Sequence, residues 1–113
     1  MVLGVELIAD VDDIKNSTLL ETIDGIKPLM EKINKECKLN VVNSCEYEVN
    51  PIGATMLYLL AESHLTIHTY PEKQACSINL YSCNANIDFM EALNVIYEYF
   101  DKPFISKRIF YRL

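Results

Sequence analysis

Residues 54–70 read A-T-M-L-Y-L-L-A-E-S-H-L-T-I-H-T-Y, and P-E-K-Q follows at 71–74. Ala54–Ala61 is a dense apolar run, short for a helix, and reads as a buried central strand. From Leu65 to Tyr70 apolar and polar residues alternate, the period of a strand with one buried face. Pro71-Glu72-Lys73-Gln74 turns the chain. Ser77–Cys83 alternates again, with Ile78 and Leu80 on one side and Asn79, Tyr81 and Cys83 on the other.

Upstream, Asn50-Pro51-Ile52-Gly53 is a turn signal, and Leu39–Val49 suggests another strand. Before it, Leu20, Ile23, Ile26, Leu29, Met30 and Ile33 recur at helical spacing to about Lys38. Asn16 or Ser17 can cap that helix through a side-chain oxygen, and Pro28 threatens a kink within it. Leu3, Val5, Leu7 and Ala9 alternate as a first strand, and Asp10–Lys15 is polar and turn-like. Downstream, Asn86 or Asp88 opens a second helix carrying Phe89, Leu93, Ile96, Tyr97 and Phe100. Pro103 stops it, and Phe104–Tyr111 forms a last strand.

The boundary near Ser63 is not fixed by these patterns. Taken as one run across it, the order is β-α-β-β-β-α-β, five strand-like runs. Both helices must cover one face of the same sheet, which predicts a two-layer α/β (α+β) sandwich in one domain over residues 1–113. The other face, with Asn79, Tyr81 and Cys83, is left for a site or a partner.

Half of the 113 residues are apolar and the formal charge is −6. Such an acidic chain without a basic run is poorly suited to nucleic acid or an anionic membrane. The longest apolar run is far too short to span a bilayer, and Met1-Val-Leu-Gly-Val-Glu lacks a basic segment ahead of an apolar one. A cytoplasmic protein is therefore expected. Cys37, Cys45, Cys76 and Cys83 form no C-x-x-C pair, and the two histidines, His64 and His68, stand close together. Neither a metal site nor a disulfide is expected from that arrangement. Cys37, inside a helical pattern, reads as a small buried apolar residue, whereas Cys45 and Cys76 are undecided.

Glu62-Ser63-His64, with His68 five residues beyond the serine, can be read in several ways. These residues can be a solvated strand. A Ser-His-Asp hydrolase lacks its G-x-S-x-G elbow here. A thiol–imidazole pair of Cys83 and His68 is chemically reasonable. A further chemistry uses the serine as raw material. Its hydroxyl attacks the Glu62 carbonyl, the peptide becomes an ester, and β-elimination frees the upstream chain. Hydrolysis of the dehydroalanine then leaves a pyruvoyl group. That carbonyl forms a Schiff base with an amino acid and serves as the electron sink for loss of carbon dioxide. His68 is a candidate proton acceptor for the cleavage, and Cys83 a candidate donor to the carbanion.

A-E-S-H-L-T-I-H-T-Y-P-E at 61–72 closely resembles the processing segment of the prokaryotic S-adenosylmethionine decarboxylases, pyruvoyl enzymes of polyamine synthesis. Pro51-Ile52-Gly53-Ala54-Thr55 is similar to that family's P-x-G-x-S/T turn, and Ser82-Cys83 to its T-C dipeptide. Strong matching covers about residues 51–84. The resemblance implies self-cleavage between Glu62 and Ser63, giving a β chain of residues 1–62 and an α chain of residues 63–113. It implies that Ser63 becomes the pyruvoyl group, with no metal and no pyridoxal phosphate. His68 would then assist processing with support from Thr55, where a serine is common, and Cys83 would be the proton donor in decarboxylation. Glu72 would accept hydrogen bonds from the substrate ribose, and Leu65 would meet the adenine edge through its backbone. The implied fold is a four-stranded antiparallel sheet backed by two helices. It would be paired as a homodimer of αβ units with sites at the interface. The implied reaction supplies decarboxylated S-adenosylmethionine for spermidine synthesis.

Some positions depart from the family pattern. Val49 stands where an aromatic is usual before the turn, Tyr70 replaces a tryptophan, and Asn79 stands where aspartate is common. Lys73-Gln74 replaces a glycine-containing turn, and Lys73 could neutralise Glu72. Relatives on this fold decarboxylate arginine or ornithine, so a basic amino acid is an alternative substrate, with Glu72 or Glu62 binding the cation. An unprocessed, inactive partner of an active paralogue is a further alternative.

Overall fold

The computed structural model describes residues 3–84 and 86–113. The apolar run at 54–61 and the alternation that follows it form two separate strands, β3 (Ala54–Leu60) and β4 (Ser63–Tyr70), joined by Ala61 and Glu62 alone. They belong to a six-stranded sheet with β1 (Gly4–Asp12), β2 (Val41–Glu48), β5 (Ala75–Ser82) and β6 (Phe104–Arg112). The strand order is β2-β3-β4-β5-β1-β6 and every pairing is antiparallel. Three expectations are thereby corrected: the count of five runs, the four-stranded sheet that the resemblance implied, and the merging of strands around Ser63. The hairpin there carries no Gly or Asn to mark it, so the pattern alone did not separate its two arms.

Alternation buries one face of the sheet. Leu7, Ala9 and Val11 of β1, Met56 of β3, Leu65 and Ile67 of β4, and Ile78 and Leu80 of β5 are all buried. Helices α1 (Ile23–Glu36) and α2 (Phe89–Tyr99) supply Ile26, Leu29, Met30, Ile33, Ala92, Val95 and Ile96 to the same core. Residues of opposite parity, such as Ile8, Thr66, His64, Asn79 and Tyr81, are half-buried on a face that no helix covers. The predicted two-layer sandwich is therefore present, with its second face open.

α1 begins at Ile23, not at Asn16 or Ser17, because Ser17–Leu20 forms a separate 3-10 turn. The helix packs tightly on that turn: a Cβ on Gly25 would lie 2.2 Å from the Leu19 carbonyl oxygen. Thr22 makes no side-chain cap. Glu48 at the end of β2 caps instead, its Oε1 accepting from the Ile23 N–H at 3.0 Å, so a carboxylate meets the positive end of the helix. Pro28 is accommodated inside α1, where its ring replaces the N–H that would have bonded Asp24. α2 is capped as expected by Asp88, which accepts from the Glu91 N–H at 3.0 Å. Among the described residues no helix is long and apolar enough to cross a membrane.

Candidate active site

The Glu62–Ser63 bond lies at the tip of the β3–β4 hairpin, where Leu60 pairs directly with Ser63. Two-residue hairpins favour primed turns, which need positive φ and hence Gly or Asn. Among the described residues positive φ occurs at Asp13, Lys38, Gly53, Gln74, Asp101 and Lys102, and not at Ala61 or Glu62. This tip is instead held from both sides. The Ala61 N–H donates to the Asn40 carbonyl at 2.9 Å, and the Glu62 carbonyl accepts the Cys83 N–H at 3.0 Å. Ser63 also pairs with Ser82 of β5, which brings its Oγ to 3.7 Å from Cys83 Sγ. Glu62, Ser63 and Cys83 thus form one cluster, with the Glu62 carbonyl already receiving a hydrogen bond.

A second cluster sits at the far end of β4. Thr55 pairs across the ladder with His68, and Thr55 Oγ1 and His68 Nδ1 share a hydrogen bond of 3.1 Å. Tyr70 and Glu72 follow on the same end, and in the turn before β3 Val49 donates its N–H to the Gly53 carbonyl. Gly53 has φ +131°, a conformation that favours glycine, and a Cβ there would press on Val49. The two ion pairs among the described residues are Arg108–Asp10 and Arg112–Glu6, so Lys73 makes no direct ion pair with Glu72.

The chain does not bring His68 to Ser63. Five residues of strand separate them, roughly 16 Å at about 3.3 Å per residue, and an odd separation places them on opposite faces. The structure places Ser63 at one end of β4 and His68 toward the other. Leu65 lies on the core side of the same strand. It is fully buried, and β4 is paired on both sides, with Tyr58 and with Leu80, so its backbone groups are spent in the sheet.

The family model for S-adenosylmethionine decarboxylase matches residues 5–112. The S-adenosylmethionine decarboxylase proenzyme of Hydrogenobaculum sp. is 33% identical over 110 residues, which is 97% of this chain and 81% of the relative. The proenzyme of Sulfurihydrogenibium sp. is also 33% identical, over 95% of this chain and 77% of the relative. The crystal structure of the adenosylmethionine decarboxylase from Aquifex aeolicus superposes with a TM-score of 0.89 at 29% identity. That match covers 98% of this chain and 91% of the other. The chain belongs to the S-adenosylmethionine decarboxylase family.

Two site-shaping groups of this S-adenosylmethionine decarboxylase family member escape a reading of side chains along the sequence. One is the backbone N–H of Cys83, which carries no residue signature. The other is Thr69. It is buried, its Oγ1 accepts from the Ala54 N–H at 2.8 Å, and its hydroxyl donates to the Leu20 carbonyl at 2.7 Å. It thereby fixes the start of β3, and with it Thr55, against His68. Its only sequence signal was a polar residue at a core-facing strand position. The cysteines divide evenly. Cys37 and Cys76 are buried, while Cys45 and Cys83 are exposed. Burial pushes the Cys76 thiol up to about 12, aided by the charges of Asp10 and Asp12, and the Cys37 thiol up to about 11.

Proposed function

We propose that the chain is a proenzyme that cuts itself between Glu62 and Ser63 and then decarboxylates S-adenosylmethionine through the pyruvoyl group made from Ser63. One observation carries the processing step: the Glu62 carbonyl at the hairpin tip accepts the Cys83 N–H. When Ser63 Oγ attacks that carbon, negative charge develops on this oxygen, and a preorganised N–H stabilises it. The Glu62–Ser63 C–N bond breaks and an ester forms. A base then removes the Ser63 Cα proton, the Cβ–Oγ bond breaks, and Glu62 leaves as a carboxylate. Tautomerisation and hydrolysis of the dehydroalanine consume one water and release one ammonia, leaving the pyruvoyl end.

The residues present fit that group. Ser63 supplies its atoms, and Cys83 Sγ, 3.7 Å from Ser63 Oγ, stands where a proton donor to the product carbon is needed. The pyruvoyl carbonyl supplies an electrophile for the substrate amine and a sink for the electron pair left by carbon dioxide. Decarboxylated S-adenosylmethionine is the aminopropyl donor of spermidine synthesis.

The remaining assignments require a second copy of the chain. Thr55, His68 and Glu72 lie at the opposite end of β4 from Ser63, yet processing and ribose binding place their chemistry beside it. An isologous homodimer that brings the far end of one β4 to the hairpin tip of the other completes two equivalent sites.

Mass spectrometry of the denatured protein tests the reading. Two fragments split after Glu62 are expected, their masses summing to the intact chain plus one water minus one ammonia, and Ser63→Ala should remain uncut. Cleavage in that variant would refute the proposal. Carbon dioxide release from labelled S-adenosylmethionine, arginine and ornithine, compared side by side, decides the substrate.

A further inference from the structure

On the open face, beside the cut site, five side chains form a closed circuit. His64 Nε2 lies 3.0 Å from Asn79 Oδ1, Asn79 Nδ2 donates to Glu6 Oε2 at 2.7 Å, and Arg112 donates to Glu6 Oε1 at 3.1 Å. The Arg112 guanidinium lies over the Tyr81 ring, 5.5 Å from its centroid, and the Tyr81 ring returns to His64 at 5.8 Å. His64, Tyr81 and Glu6 occupy one cross-strand row, so the circuit ties β4 to β5, β1 and β6. Its polarity is determined. Glu6 as a carboxylate only accepts, so the Asn79 amide nitrogen faces it and the Asn79 oxygen faces His64. His64 must then carry its proton on Nε2.

Nothing in the cleavage chemistry calls for this circuit, but the product does. Before cleavage Ser63 is held covalently by Glu62. Afterwards it is a chain end, and its nitrogen has left as ammonia, so the ladder bond that this N–H could make is gone. His64 becomes the first residue of the downstream chain to keep its N–H. Strand ends fray, whereas a reactive carbonyl must be held to within about 0.5 Å. We infer that His64, locked in its Nε2–H form by the Asn79–Glu6–Arg112–Tyr81 circuit, is the positioning residue that anchors the new pyruvoyl end after the chain is cut. This rests on the processing reading above.

Hydrogen exchange of the segment 63–66, read by mass spectrometry, tests it. In the cut protein, His64→Ala is expected to speed exchange there about tenfold, since an unanchored end opens locally. In the uncut Ser63→Ala background the same change should have little effect, because the covalent link still holds the segment. In the cut enzyme kcat should fall several-fold with KM nearly unchanged, and His64→Gln, whose amide can still donate to Asn79, should restore most of both. Gly4→Ala provides a remote check: its Cβ would come within 2.7 Å of the Tyr81 ring, displacing it from His64, and a milder form of the same pattern is expected. Unchanged exchange in cut His64→Ala, or an equal increase in cut and uncut protein, would overturn the anchoring role. A wild-type chain that never splits is seen by mass before any exchange is measured, and would overturn the processing reading and this inference together.

Discussion

If His68 serves the serine of another copy, two variants that each fail alone should rescue one another. The perturbation is co-expression of Ser63→Ala and His68→Ala chains carrying different tags. Within one chain the two residues are roughly 16 Å apart on opposite faces of β4, so neither variant can repair itself. In a two-fold dimer a mixed pair contains one site with both lesions and one with neither. The intact site joins Ser63 of the His68→Ala chain to His68 of the Ser63→Ala chain. Random pairing of equal amounts makes about half of the dimers mixed, so about a quarter of all chains should be cut, every one of them a His68→Ala chain. Denaturing electrophoresis with tag-specific detection reads this directly. No cleavage in the mixture, or wild-type cleavage by His68→Ala alone, would refute the shared site. Cleavage of chains bearing Ser63→Ala would refute the chemistry.

Cys83→Ala should still process, because the N–H on the Glu62 carbonyl belongs to the backbone and survives. Its decarboxylation should fall by about 10²-fold, the usual worth of a positioned acid, and unchanged turnover would remove Cys83 from the reaction. Thr69→Val keeps the shape but leaves the Ala54 N–H and the Leu20 carbonyl without partners. At about 1–3 kcal/mol each, the melting temperature should drop by at least about 8 °C, and a shift of under about 2 °C would show that the site relaxes to satisfy both groups. For the buried thiols, the folded chain keeps Cys76 and Cys37 protonated up to about 12 and about 11, against an ordinary 9.0 in the unfolded chain. Their contribution is therefore complete below pH 9 and is lost progressively as pH rises from there through those folded values. Each thiol adds a slope of about 1.4 kcal/mol per pH unit, so denaturant melts between pH 9 and 10.5 should fall less steeply for Cys76→Ala than for wild type. Equal slopes would contradict the burial argument.

Period-two alternation in Leu65–Tyr70 and Ser77–Ser82, and helical spacing from Ile23 to Ile33, determined a sheet with helices on one face. That follows because burying an apolar stripe is the main driving force for either element. The same local reading marked Glu62, Ser63, His68 and Cys83, because their chemistry is carried by residue type and spacing, whereas Thr55 was marked only by the family resemblance. The sequence left the Ala61–Glu62 turn unmarked, since neither residue favours positive φ, and so could not separate β3 from β4. Without that hairpin, the distance from Ser63 to His68 was also undetermined. Only the tertiary structure decided that Ser63 and His68 stand toward opposite ends of β4, that Cys83 offers its backbone to the Glu62 carbonyl, and that Glu48 caps a helix far from it in sequence. Each of these depends on strand register, and register is set by long-range pairing across the sheet, which no local window of sequence contains.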